Sequence, residues 1–144
     1  MADLSKLIQY DKTFPVVPKL GGEPIGITIN IVSFDSERVS RAVAKLDTEK
    51  WTLARANDDK ALTDDQRIDF AVRQINEMII ASIDSWDFGG NNWGDLPVDP
   101  ECNEENKRYL INHPNAKWIR DVIFAQGQEI DNFFGELPKP LKKK

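Results

Sequence analysis

Cysteine and histidine each occur once, as Cys102 and His113. A lone cysteine excludes an intramolecular disulfide and a cysteine-built zinc site, and it fits a reducing compartment. A lone histidine with nothing to place a nucleophile beside it leaves no Ser-His-Asp or Cys-His set to argue for. Its position just before Pro114 reads instead as a helix junction. Long apolar runs are missing as well. None approaches the ~20 residues that a membrane-spanning helix needs, and the first six residues, Met1 to Lys6, hold no apolar core of a secretory signal. The expectation is a protein of the cytoplasm of whatever cell makes it, with no membrane contact. Phosphate loops are absent: neither Gly21-Gly22 nor Gly89-Gly90 leads into a Lys-Ser/Thr pair, and both read as turns.

Basic charge is in short supply. The chain has 144 residues, 19 Lys and Arg against 24 Asp and Glu, a net charge of −5 and a pI of about 4.9. Lys139, Lys142, Lys143 and Lys144 gather at the C-terminal end, so the body is more acidic than the total. An acidic body repels a phosphate backbone, which argues against nucleic-acid binding. The length suits one domain, and 40% apolar with 30% charged residues is ordinary globular composition.

Residues 1–13 read as a polar arm. A single globular domain is expected over 14–134, followed by a basic tail, 135–144. The fold class expected is α+β, mostly α-helical: an N-terminal β-hairpin followed by about four helices. Phe14-Pro15-Val16-Val17-Pro18 is extended because each proline biases its predecessor away from α. After a glycine turn, Ile25, Ile27, Ile29 and Ile31 alternate with smaller or polar residues, the period of a half-buried strand. The hairpin thus spans 14–32, and its isoleucine face must lie on helices or pair with another chain.

Four helices are expected, at about 36–56, 64–83, 100–112 and 114–134. Asp35 or Ser36 caps the first, which blurs past Trp51 and ends in Asn57-Asp58-Asp59-Lys60. Thr63 with Gln66 is a capping box for the second. Its stripe of Ile68, Val72, Ile75 and Ile79 makes it the cleanest amphipathic helix in the chain. Asp99 with Pro100 opens the third, and Gly135 is a C-cap for the last.

The segment from Trp86 to Pro97 reads as a loop rich in Gly, Asn and Trp. A calcium site fails there: counting Asp87 as position one puts Val98 at the twelfth position, where an EF-hand loop carries Glu. No catalytic residue, metal or cofactor is expected. Trp86, Phe88 and Trp93 either fold back on the core or meet a partner. Phe133 and Phe134 pose the same choice, because adjacent helical side chains diverge by about 100°. These five are the candidate partner-binding residues.

The order of motifs in the second half carries a resemblance. Ile83-Asp84-Ser85-Trp86-Asp87 follows an amphipathic helix; then come a glycine-containing spacer, Gly94-Asp95-Leu96-Pro97-Val98, Glu104-Glu105-Asn106, Leu110-Ile111 and Asn132-Phe133. Together with the hairpin and Asp35-Ser36, this resembles the tail assembly chaperones of long-tailed (siphovirus-type) bacteriophages or prophages, over roughly residues 14–134. The chain departs from that pattern in its longer loop between Gly89 and Trp93. The resemblance implies a non-enzymatic factor that binds the tape measure protein and acts with tail tube subunits during tail morphogenesis. It also implies oligomers through self-association, and absence from the mature virion. The family often makes a longer form by a −1 frameshift. The Lys142–Lys144 run, if written in adenine-rich codons, would supply the slip site, and a gene lacking a slippery heptamer and an overlapping frame there rules it out. The alternatives are a tail completion or connector protein and a bacterial regulatory binding module.

Overall fold

The computed structural model describes residues 4–57 and 62–135. The tail residues 136–144, including the lysine run, and Asp58-Asp59-Lys60 lie outside the described residues. Among the described residues the chain is α+β and mostly helical, with four α-helices and a small antiparallel sheet.

The alternating isoleucines form the centre of that sheet. Strand β1 (Phe14–Val16) pairs antiparallel with β4 (Thr28–Ile31), placing Phe14 opposite Ile31 and Val16 opposite Ile29. Between them, β2 (Lys19–Leu20) and β3 (Glu23–Pro24) close a short hairpin. Its turn is Gly21-Gly22, with φ of 59° and 83°, where a side chain would be strained. Pro15 is tolerated because β1 is an edge strand. Ile27, Ile29 and Ile31 are buried.

The expected two-stranded hairpin is in fact a three-stranded sheet. The helix expected to run to residue 83 ends at Ser82, and β5 (Ile83–Asp87) pairs antiparallel with the other side of β4. The Ser82 hydroxyl donates to the Ile79 carbonyl at 2.7 Å, and Ile83 turns extended, with φ −73° and ψ 119°. Asn30 Nδ2 then donates to Ser85 Oγ across the strands at 2.9 Å. Trp86 therefore lies on a strand opposite Ile29, not in a loop.

Helix α1 spans Glu37–Ala56 and α2 spans Asp64–Ser82. The capping box at the start of α2 is present, with Gln66 N donating to Thr63 Oγ1 at 3.2 Å and Thr63 N to Gln66 Oε1 at 2.9 Å. Ser36 occupies the N-cap of α1, but its hydroxyl makes no capping bond. Helix α3 (Glu104–Asn112) starts four residues later than Pro100. Asp99 adopts φ 50° and spends its carboxylate on the Gly90 amide at 2.7 Å, so Asn103 caps instead, accepting from Asn106 N at 2.9 Å.

The last helix is shorter than expected. A 3₁₀ turn at Pro114–Ala116 leads into α4 (Lys117–Gln128), and a second 3₁₀ turn covers Ile130–Phe133. Glu129 breaks the helix in an extended conformation. Gly135 is consequently no helix cap; its amide donates to the Leu7 carbonyl at 2.7 Å. The first segment is tied to this end of the chain, through Gln9 N to Phe133 O at 2.8 Å and a β-bridge between Ile8 and Phe134. One core cluster joins the isoleucines of β4 to Ile79 and Ile83, Leu110 and Ile111, Ile119 and Ile123, and Phe133.

Candidate protein-binding surface

The five aromatic residues singled out above separate into two groups. Phe88 and Phe133 are fully buried and offer a partner no area in this fold. Phe133 packs edge-on against Phe14, ring centroids 6.2 Å apart. Trp86 is half-buried, edge-on to Phe88 at 5.0 Å, and its indole N–H donates to the Pro100 carbonyl at 2.8 Å. Trp93 is half-buried against the His113 ring at 5.8 Å. Phe134 alone is largely exposed. The loop that carries Phe88 and Trp93 is held shut by polar bonds: Asn91 Nδ2 to Phe88 O at 2.9 Å, Asp99 N to Asn91 O at 3.0 Å, and Asp95 N to Tyr109 Oη at 2.9 Å.

His113 is a structural side chain. Its Nδ1 accepts the Asn115 amide at 3.1 Å, and its ring lies between those of Trp93 and Tyr109. Cys102 is half-buried, and burial pushes its thiol above the ordinary value, with Lys107 pulling the other way and Asp84 adding to the rise. A neutral, half-buried thiol is a poor nucleophile. Among the described residues no group of three His, Cys, Asp or Glu side chains could hold a metal ion, and no helix is long and apolar enough to cross a membrane.

The exposed apolar surface lies elsewhere, on α2. Side chains three and four apart share a helix face, so Ile68, Val72, Ile75 and Ile79 form one stripe. Ile79 is fully buried where the stripe meets the core, but Ile68, Val72 and Ile75 are 64%, 54% and 42% exposed. Elsewhere round this half of α2, Phe70 is buried, with the Arg73 guanidinium over its ring, 5.2 Å from the centroid. Trp51 on α1 is 69% exposed and, with Ala54, Leu62, Asp47 and Lys50, walls an apolar hollow of 330 Å³. The period of the stripe is legible in the sequence, but the absence of a cover over its first three residues is not.

A second concavity, of 490 Å³, opens between α1 and α3 over α2. Its floor is Ala42, Leu46, Ile80 and Ala81. Charged side chains form the walls: Arg38, Lys45 and Glu49 from α1, Arg73 and Glu77 from α2, Glu104, Lys107 and Arg108 from α3. Arg73 pairs with Glu49 at 2.7 Å. Arg108 takes both oxygens of Glu77, at 2.5 and 3.0 Å, and reaches Glu104 at 2.7 Å. These bonds hold the Arg108 guanidinium above its usual value, the Glu77 hydrogen bond foremost. Nothing in the sequence alone brings Lys45 and Lys107 to one cleft.

No known protein family matches the chain, and neither the curated proteins nor the solved structures hold a significant match to it.

Proposed function

We propose that this chain is an assembly chaperone of phage tails, a non-enzymatic factor that holds the tape measure protein, and works beside tail tube subunits, while the tail is built. The observation that carries the reading is the exposed apolar stripe Ile68-Val72-Ile75. The order of motifs from Ile83 to Phe133 supports the family. A long, helix-rich client must be kept from aggregating before tube subunits enclose it. A holder for such a client needs apolar area of its own. Each aliphatic side chain on the stripe is worth roughly 1.5–3 kcal/mol when a partner buries it fully. An amphipathic client helix laid along α2 would meet it by anchors at i, i+3 and i+7. The acidic body, at −5 overall, limits self-aggregation of a protein that exposes such a stripe. Under this reading the protein acts in the host cytoplasm and leaves before the virion is complete.

The test is co-expression with the large, helix-rich open reading frame beside its gene. The expected result is that the large protein becomes soluble only when this chain is present, and that Val72→Asp with Ile75→Asp abolishes the rescue while the chaperone still folds. Absence of rescue by the unaltered chain overturns the reading. Recovery of this chain from purified mature particles favours a tail completion or connector protein instead.

A further inference from the structure

The cleft between α1 and α3 has a charge balance that the rest of the molecule lacks. In an acidic protein, five cationic side chains line it against three carboxylates. The carboxylates are already engaged: Glu49 by Arg73, and Glu77 and Glu104 by Arg108. Arg38, at one end, is paired with Asp84 at 3.1 Å. Lys45 on one wall and Lys107 on the other have no carboxylate partner among the described residues. Two lysines without a carboxylate partner therefore face each other across an apolar floor, and because Arg108 answers two carboxylates and Asp84 answers Arg38, the cleft is left with a net charge of one positive.

The shape of that floor matters as much as the charge. Ala42 and Ala81 are short, and Leu46 and Ile80 are buried beneath the surface, so a cylinder can approach closely. The walls are helices on either side of a third, the groove into which another helix packs by ridges and grooves. Helix α3 has nine residues, a wall of roughly 13 Å, or two to three turns of a docked helix. Of the floor residues that α2 supplies, Ala81 lies opposite Val72, nine positions and so about 180° round the helix.

We propose that this cleft is a docking groove for an acidic, amphipathic helical segment of a partner protein, distinct from the apolar stripe on the far side of α2. Lys45 and Lys107 receive carboxylates from the two flanks of that segment, and the half-buried Ala42 and Ala81, backed by Leu46 and Ile80, take its apolar side. The inference goes beyond the chaperone reading and does not depend on it.

The experiment uses the full chain and a fluorescent synthetic helix of about 18 residues, roughly five turns, with leucine at i, i+3, i+4 and i+7 spacing and glutamate on the flanks. A second peptide carries lysine in place of each glutamate. By anisotropy, the acidic peptide binds and the basic one does not. Lys45→Glu with Lys107→Glu weakens the acidic peptide by at least about tenfold, and Lys45→Gln with Lys107→Gln by less, as fits a charge effect. Leu20→Asp, at an exposed position on the β2–β3 hairpin, leaves its affinity unchanged, and circular dichroism reports the same fold for every variant. Failure of the acidic peptide to bind, or equal binding to the double glutamate variant, overturns the proposal. So does full displacement of the peptide by millimolar inorganic phosphate, which would mark a small-anion site.

Discussion

The Tyr109 hydroxyl accepts the Asp95 backbone amide at 2.9 Å and in doing so lies against the α-carbon of Gly94. Gly94 has φ 58°, and a Cβ there would collide with the Tyr109 hydroxyl. Gly94→Ala is expected to lose about 1–3 kcal/mol in urea unfolding, combining backbone strain with displacement of the hydroxyl. Gly90→Ala, also at positive φ but with open space around its α-carbon, should cost less. In a Tyr109→Phe background the Gly94→Ala cost should shrink, and a double-mutant cycle that shows no coupling would refute the collision.

Trp86 holds the strand-to-loop transition through its bond to Pro100, whose carbonyl sits in a buried residue. Trp86→Phe keeps a ring against Phe88 but leaves that carbonyl without its donor. The expected loss is about 1–3 kcal/mol, since an unsatisfied buried acceptor costs its desolvation. A midpoint unchanged from the parent would mean that the bond contributes nothing net.

Phe133 and Phe134 are neighbours with opposite fates. Phe133→Ala removes a fully buried ring packed on Phe14 and should cost about 3–5 kcal/mol. Phe134→Ala removes a largely exposed ring and should stay within about 1 kcal/mol. Equal effects from the two would contradict the placement of the final 3₁₀ turn.

Cys102 gives a pH-dependent readout. Because burial raises its thiol, the thiolate fraction at a given pH is lower than for a free cysteine, and alkylation in the folded chain should be slower than in urea. Lys107 opposes that rise, so Lys107→Gln should slow alkylation further. The sign for stability follows. Between the ordinary thiol value and the raised one, the folded state holds the proton that the unfolded chain has lost, so stability falls as pH climbs through that window. Cys102→Ser should flatten that part of the stability curve.

What the sequence determined by itself was local. The Thr63–Gln66 box, the Gly21-Gly22 turn and the alternation through Ile29 and Ile31 each depend on residues within a few positions of one another and stand where their chemistry put them, although the strand begins only at Thr28 and leaves Ile25 and Ile27 outside it. The mostly helical α+β class followed from those signals. What tertiary structure decided was pairing and cover. Ile83–Asp87 carries the end of a helical stripe, yet it becomes a strand because β4 has a second edge to satisfy, a partner more than fifty residues away in sequence. Asp99 stands ready to cap a helix but is drawn off to the Gly90 amide, which passes the cap to Asn103. Period alone says that Ile68, Val72, Ile75 and Ile79 share a face; it cannot say that the core ends at Ile79. Nor can it say that Lys45 and Lys107, on helices far apart in the chain, look across one cleft. Burial and juxtaposition are properties of what lies opposite a side chain, and only the packed fold supplies the opposite side.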